Sequence, residues 1–176
     1  MQPCYLAIDI GASSGRHIVG TVENGRMLLK EVYRFENKLV EQNGHLCWAM
    51  QDLAESVIAG LSACKQAGYT PKSIGIDTWA VDFVLLDAAG QMLGDPVAYR
   101  DGRTATLRDE LAAQYGQPFE AVYARTGIQY QPFNTIYQLA ALQKEHPEQL
   151  AAAKTFLMVP DYLNYLLTGV AANEYY

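Results

Sequence analysis

Two short apolar runs separated by a stretch of very small residues constrain this chain more than anything else in it. Tyr5-Leu-Ala-Ile-Asp-Ile10 is rich in branched side chains, too brief for a helix and closed by Gly11, so it reads as a strand. After Gly11-Ala-Ser-Ser-Gly15, the segments 17–22 and 27–32 flank Glu23-Asn-Gly-Arg26, whose Asn-Gly pair is a strong hairpin signal. Three antiparallel strands in chain order are therefore expected. From Met50 to Ala67 the apolar residues Leu53, Val57, Ile58, Leu61 and Cys64 recur at helical spacing, with Asp52 expected as the N-terminal cap and Gly68 as the stop. This helix should cover one face of the sheet. Segments 73–77 and 81–86 read as further strands, the second ended by the turn Asp87-Ala-Ala-Gly90. The fold class is α/β.

The second half is mostly helical in pattern, over 103–115, 119–125, 135–144 and 161–167, and broken at Pro118, Pro132, Pro147 and Pro160; segment 155–159 offers one more strand. No repeat, charge block or low-complexity linker marks a boundary, although the Ala-rich stretch 150–154 is compositionally loose, so residues 1–176 are expected to belong to one domain. Half the residues are hydrophobic and 18% are charged, enough for a sizeable core. The net charge of −6 supplies no positive field to gather phosphate backbones or anionic lipid, which argues against nucleic-acid and membrane partners. Neither a secretory leader nor a membrane-length apolar segment is present, and a cytoplasmic location is expected. Cys4, Cys47 and Cys64 are odd in number and scattered, and read as reduced buried thiols.

The constellation that carries chemistry is Asp9-Ile-Gly-Ala-Ser-Ser-Gly-Arg16. Two glycines free the backbone to take positive φ and approach a ligand, so successive N–H groups and the hydroxyls of Ser13 and Ser14 could surround phosphate oxygens. Asp9, at a strand end, could hold Mg²⁺ directly or through water, and Arg16 could add a charge-assisted contact. The turn ends in neither the Gly-Lys-Ser/Thr of a Walker loop nor a Gly-x-Gly-x-x-Gly dinucleotide turn. A polar β-turn whose serines satisfy their own backbone is an equal reading of the spacing alone. His17, His45 and His146 are isolated, and no Gly-x-Ser-x-Gly elbow is present. Asp77 and Asp82 could pair as general acid and base, but carboxylates near a sheet edge more often cap backbone.

The Asp-x-Gly-x-Ser-x-x-Arg pattern on a first hairpin resembles the phosphate loop of the actin, Hsp70 and sugar kinase superfamily. Ile74-Gly-Ile-Asp-Thr-Trp-Ala-Val-Asp-Phe83, Pro96-Val-Ala-Tyr-Arg-Asp-Gly-Arg-Thr104, Arg125-Thr-Gly-Ile-Gln129, Pro132-Phe-Asn-Thr-Ile-Tyr-Gln-Leu139 and Met158-Val-Pro-Asp-Tyr-Leu163 resemble the FGGY carbohydrate kinase family in order and spacing. Across essentially the whole chain the match is to its branch acting on L-rhamnulose. The resemblance implies a ribonuclease H-like N-terminal domain and transfer of the γ-phosphoryl of ATP, with Mg²⁺, to O1 of the sugar. It further implies ATP phosphates at Ala12, Ser13, Ser14, Gly15 and Arg16, the metal at Asp9, and the sugar against Trp79, Ala80 and Asp82. Tyr99, Arg100, Asp101 and Arg103 either line the same cleft or form a surface ion-pair network; Trp79 and Asp82 read equally as a core aromatic and a turn-capping carboxylate.

Two departures from the family pattern carry consequences. Ala80 stands where the family has Gly, which bears on which sugar fits. The match stops at Tyr176, in the family's Glu-Tyr-x-Asn stretch, before the aspartate that the family uses as general base and before the second, adenine-binding domain. The expectation is that these 176 residues alone do not turn over and that an incomplete sheet favours self-association. A non-catalytic sugar- or phosphate-binding role, or a kinase of another ketose or polyol, stands as the alternative.

Overall fold

The computed structural model describes residues 1–174, in the order β1 (Gln2–Ile10), β2 (Ser14–Glu23), β3 (Arg26–Glu36), β4 (Leu39–Gln42), β5 (His45–Trp48), α1 (Met50–Gln66), β6 (Tyr69–Asp77), β7 (Phe83–Leu86), α2 (Leu107–Tyr115), α3 (Phe119–Thr126), α4 (Thr135–Glu145), α5 (Pro147–Ala152), β8 (Thr155–Met158) and α6 (Val159–Thr168). The Glu-Tyr-x-Asn stretch expected at the C-terminus runs into residues outside those described. The chain groups into two compact units, and the second is inserted into the first. Unit 1 comprises residues 1–40, 48–80 and the segment from Leu157 onward; unit 2 comprises 41–47 and 81–156. Nothing in the composition signals this division, because all four crossings fall inside or beside strand-like segments.

In unit 1 a four-stranded sheet runs β3-β2-β1-β6, antiparallel across β3, β2 and β1 as expected, with β6 parallel to β1. Alternation along β1 buries Cys4, Leu6, Ile8 and Ile10 on one face. α1 covers that face with Leu53, Val57, Gly60 and Cys64, whereas Ile58, which shares their spacing, is exposed. The helix begins at Met50, so Asp52 lies inside its first turn and no side chain caps it; Asp52 acts on the helix dipole instead. Pro71 sits where the register of β1 and β6 shifts, at a bulge where its missing N–H costs no ladder bond.

In unit 2, β7 starts at Phe83 rather than at Val81, because Val81 has φ 72° and cannot extend a strand. All four β7 residues are buried, and Phe83 stacks on Phe156 at 4.8 Å. The turn after β7 closes on Asp87 Oδ1, which accepts from the N–H of Ala89 and Gln91. Leu107, Tyr137 and Ala141 form a small core between α2 and α4. As expected, helical structure is interrupted at Pro147 and Pro160: α4 ends before Pro147, and each proline occupies the first turn of the next helix, α5 or α6, where its missing N–H is no loss. Part of the compositionally loose stretch 150–154 is thereby helical.

Candidate functional site

Strand β1 ends in Asp9-Ile10 and β6 ends at Asp77; because the two are parallel and in register there, Asp9 and Asp77 lie abreast at the same sheet edge. On the other side of β1 the antiparallel register sets Arg16 opposite Asp9. Arg16 closes the row with a two-point contact, its Nε and a terminal nitrogen 2.9 and 2.8 Å from Asp9 Oδ2. Both side chains are 45% exposed, so the pair contributes about 0–1 kcal/mol and can open for a ligand. Sequence reasoning found Asp9 and Arg16 and did not associate Asp77 with them; the Ile-Asp dipeptide recurring near the end of both strands is the signal that could have.

The connecting turn is tight. Gly11 N–H donates to the Ser14 carbonyl at 2.8 Å, and Asn37 braces the turn from β3's end, its backbone N–H donating to Ser13 O and its Nδ2 to Gly11 O. The Ala12 and Ser13 amides find no backbone acceptor among the described residues and lie at the tip of the turn. The expectation of positive φ fails at both glycines: neither Gly11 nor Gly15 lies in the left-handed region. Gly15 is needed for packing, since a Cβ there would come 2.1 Å from the Phe35 ring.

This donor set fits phosphate and a hard cation. Backbone N–H groups and serine hydroxyls at a solvent-facing turn suit phosphate oxygens, and a guanidinium is adjacent. Asp9 and Asp77 offer one or two carboxylates, the number Mg²⁺ takes from protein when substrate phosphates and water complete its shell. Among the described residues no cluster of three or more His, Cys, Asp or Glu forms a self-sufficient metal cage.

The residues expected at the sugar divide between the two units. In unit 1, Trp79 packs on the fully buried Trp48 with ring centroids 4.0 Å apart, its carbonyl accepting from Thr78 Oγ1 at 2.9 Å, and Ala80 is exposed. In unit 2, Asp82 is 0% exposed, its Oδ2 accepting from the Tyr99 N–H at 3.1 Å and its Oδ1 from Gln138 Nε2 at 2.8 Å. The Asp82 carboxylate thereby links the backbone at Tyr99 to the Gln138 side chain of α4.

The Arg100–Arg103 cluster is an ion-pair network, partly buried rather than on the surface. Asp101 accepts from the Leu46 and Arg103 N–H groups, both at 2.9 Å, and faces His45 at 3.4 Å. Burial works against its charge, yet these donors hold its carboxyl below the usual aspartate pKa. Arg103 reaches Glu145 at 3.6 Å, and Arg100 leans over the Tyr99 ring. The network ties the β5 end, residues 101–103 and α4 together within unit 2.

Unit 1 is thus a run of three antiparallel strands joined by a fourth strand parallel to the first, an α/β arrangement with the turn at one end of its sheet. Residues 4–176 match the FGGY family of carbohydrate kinases, N-terminal domain, and the chain belongs to that family. It is similar to the protein "Rhamnulokinase" of Oceanobacillus iheyensis, 50% identical over 175 residues that make up 99% of this chain and 37% of that protein. The protein of the same name from Halalkalibacterium halodurans is 54% identical over 170 residues, 97% of this chain and 36% of that protein. The chain thus spans little more than a third of the length of these relatives. In fold it resembles a ligand-bound xylulose kinase from Lactobacillus acidophilus, with TM-score 0.81 and 16% identity over 96% of this chain and 34% of that one. It also resembles a Plasmodium falciparum glycerol kinase with ADP, with TM-score 0.71 and 18% identity over 96% of this chain and 35% of that one. The α/β, ribonuclease H-like expectation agrees with these neighbours.

Proposed function

We propose that the polypeptide whose N-terminal domain this is phosphorylates L-rhamnulose at O1, using ATP and Mg²⁺. The observation that carries phosphoryl transfer is the row of Asp77, Asp9 and Arg16 beside the Gly11–Gly15 turn. The choice of sugar is supported by the name shared by relatives that are half identical to this chain. Ala12, Ser13, Ser14, Gly15 and Arg16 hold the ATP phosphates, and Asp9, with Asp77 beside it, holds the metal, which neutralises charge on the phosphates. On the same resemblance, Trp79, Ala80 and Asp82 bind the sugar. Its setting is the cytoplasm, its partners are the sugar and ATP, and neither nucleic acid nor membrane takes part. Among the described residues no helix is long and apolar enough to cross a membrane.

Phosphoryl transfer draws on positioning and charge stabilisation from both sides of the nucleotide. A chain that spans 37% and 36% of its relatives therefore does not turn over alone on this reading. The test is a coupled ADP-release assay with L-rhamnulose, ATP and Mg²⁺, on this chain and on a polypeptide extended to the full length of those relatives. Turnover by the extended form alone supports the proposal; turnover by neither sinks the sugar assignment, and turnover by the 176-residue chain sinks the account of its incompleteness.

A further inference from the structure

Three non-glycine residues among those described take positive φ: Asn24, Asn43 and Val81. The two asparagines occupy hairpin turns, where that residue type tolerates the left-handed region. Val81, at φ 72°, is β-branched, and for such a side chain this conformation is an outlier that persists only where its surroundings enforce it. It directly precedes Asp82 in the segment assigned above to the sugar.

The first turns of α4 grip this segment. Thr135 Oγ1 donates to the Val81 carbonyl at 2.8 Å. Gln138, one helical turn further on the same face and 2% exposed, directs Nε2 at three oxygens: Asp82 Oδ1 at 2.8 Å, Phe133 O at 2.9 Å and Val81 O at 3.2 Å. An amide nitrogen has two hydrogens, so the longest of these contacts is the one shared, and it is the one Thr135 already supplies. The second Asp82 oxygen is taken by the Tyr99 N–H at 3.1 Å.

We infer that Gln138 and Thr135 are positioning residues for the sugar reaction, holding Val81 in the left-handed conformation and Asp82 buried so that the turn has its binding shape before sugar arrives. The inference rests on the reading of Asp82, in unit 2 with Val81, Thr135 and Gln138, as a sugar residue. Neither side chain need touch substrate: a preformed turn binds without the cost of ordering it.

The test uses the polypeptide extended to its relatives' length, with Gln138→Leu, Thr135→Val, Thr135→Ser and Val81→Gly. Gln138→Leu and Thr135→Val should raise KM for L-rhamnulose about tenfold or more, the change expected for a lost bond to a strained or charged group, while KM for ATP moves less than about twofold. Thr135→Ser, which keeps the hydroxyl, should retain the wild-type value. In urea unfolding, Val81→Gly should leave the midpoint unchanged or higher, since glycine takes this φ without strain, and Gln138→Leu should lower it more in the Val81→Gly background than alone, because a released Val81 relaxes and recovers its strain whereas glycine has none to recover. Additive midpoints together with an unchanged sugar KM overturn the inference, leaving Gln138 a satisfied core amide. If the unsubstituted protein does not phosphorylate L-rhamnulose, the substrate proposal fails by itself; the unfolding cycle then decides, coupling supporting the clamp and additivity overturning it.

Discussion

A methyl group added at Gly15 has no space: its Cβ would lie 2.1 Å from the Phe35 ring, and at Gly60 it would lie 2.2 Å from the His17 imidazole. Gly15→Ala and Gly60→Ala should therefore each destabilise by about 1–3 kcal/mol, measured as a lowered urea midpoint with unchanged slope. His17 is fully buried between β2 and α1, with Nε2 3.1 Å from the Val57 carbonyl and Nδ1 without a hydrogen-bond partner among the described residues. Burial pushes its pKa below the ordinary 6.5, and the Val57 bond opposes that only in part. The native state thus binds fewer protons than the unfolded one below pH 6.5, so this contribution is complete above that value and is lost as pH falls toward the folded pKa. His17→Gln should be less stable at neutral pH yet show a shallower decline from pH about 7 to about 5; parallel curves for the two proteins would refute this. Both glycine roles escape sequence reasoning, which reads Gly15 as freedom to approach a ligand when it is room for a ring on another strand.

At the scale of elements, α1 starts without a side-chain cap on Ala49. Ala49→Asp should stabilise by about 1 kcal/mol, read from thermal and urea unfolding, by supplying an acceptor to the first-turn N–H groups. The hairpins divide instructively. Asn24-Gly25 is legible in the sequence, and both residues take positive φ. Asn43-Gly44 repeats the device between β4 and β5, with φ 51° and 83°, but its four-residue strands are too short to show alternation. Four of the five helices of the second half are legible from spacing to within a few residues; α5 is not, its six residues being too few to show a period. The breaks that the pattern marks at Pro147 and Pro160 are also helix starts, because proline interrupts a helix running into it and suits the first turn of a new one.

For the molecule as a whole, the row of Asp77, Asp9 and Arg16 predicts that Asp9→Asn in the extended polypeptide lowers kcat by a factor on the order of a hundred and weakens the Mg²⁺ dependence, measured by ADP release at varied Mg²⁺. An unchanged Mg²⁺ dependence would remove Asp9 from the metal. The sheet face of unit 1 opposite α1 exposes Tyr5, Met27 and Leu29, and we propose that the 176-residue chain self-associates through it. Sedimentation velocity should show concentration-dependent association that Leu29→Lys reduces; a monomer at all concentrations would refute it. The sequence by itself determined what is local: the β1–β2 hairpin and its Asp-to-Arg turn, the Asn24-Gly25 hairpin, the amphipathic α1 and the family. In each structural element the partners lie within a few residues, so spacing records them. Tertiary structure alone decided that Asp77 stands beside Asp9, that Val81 is left-handed, and that Gln138 reaches Asp82 across 56 residues. Such contacts are chosen by packing between distant segments, and a glutamine on a helix face has the same spacing whether it meets water or a buried carboxylate.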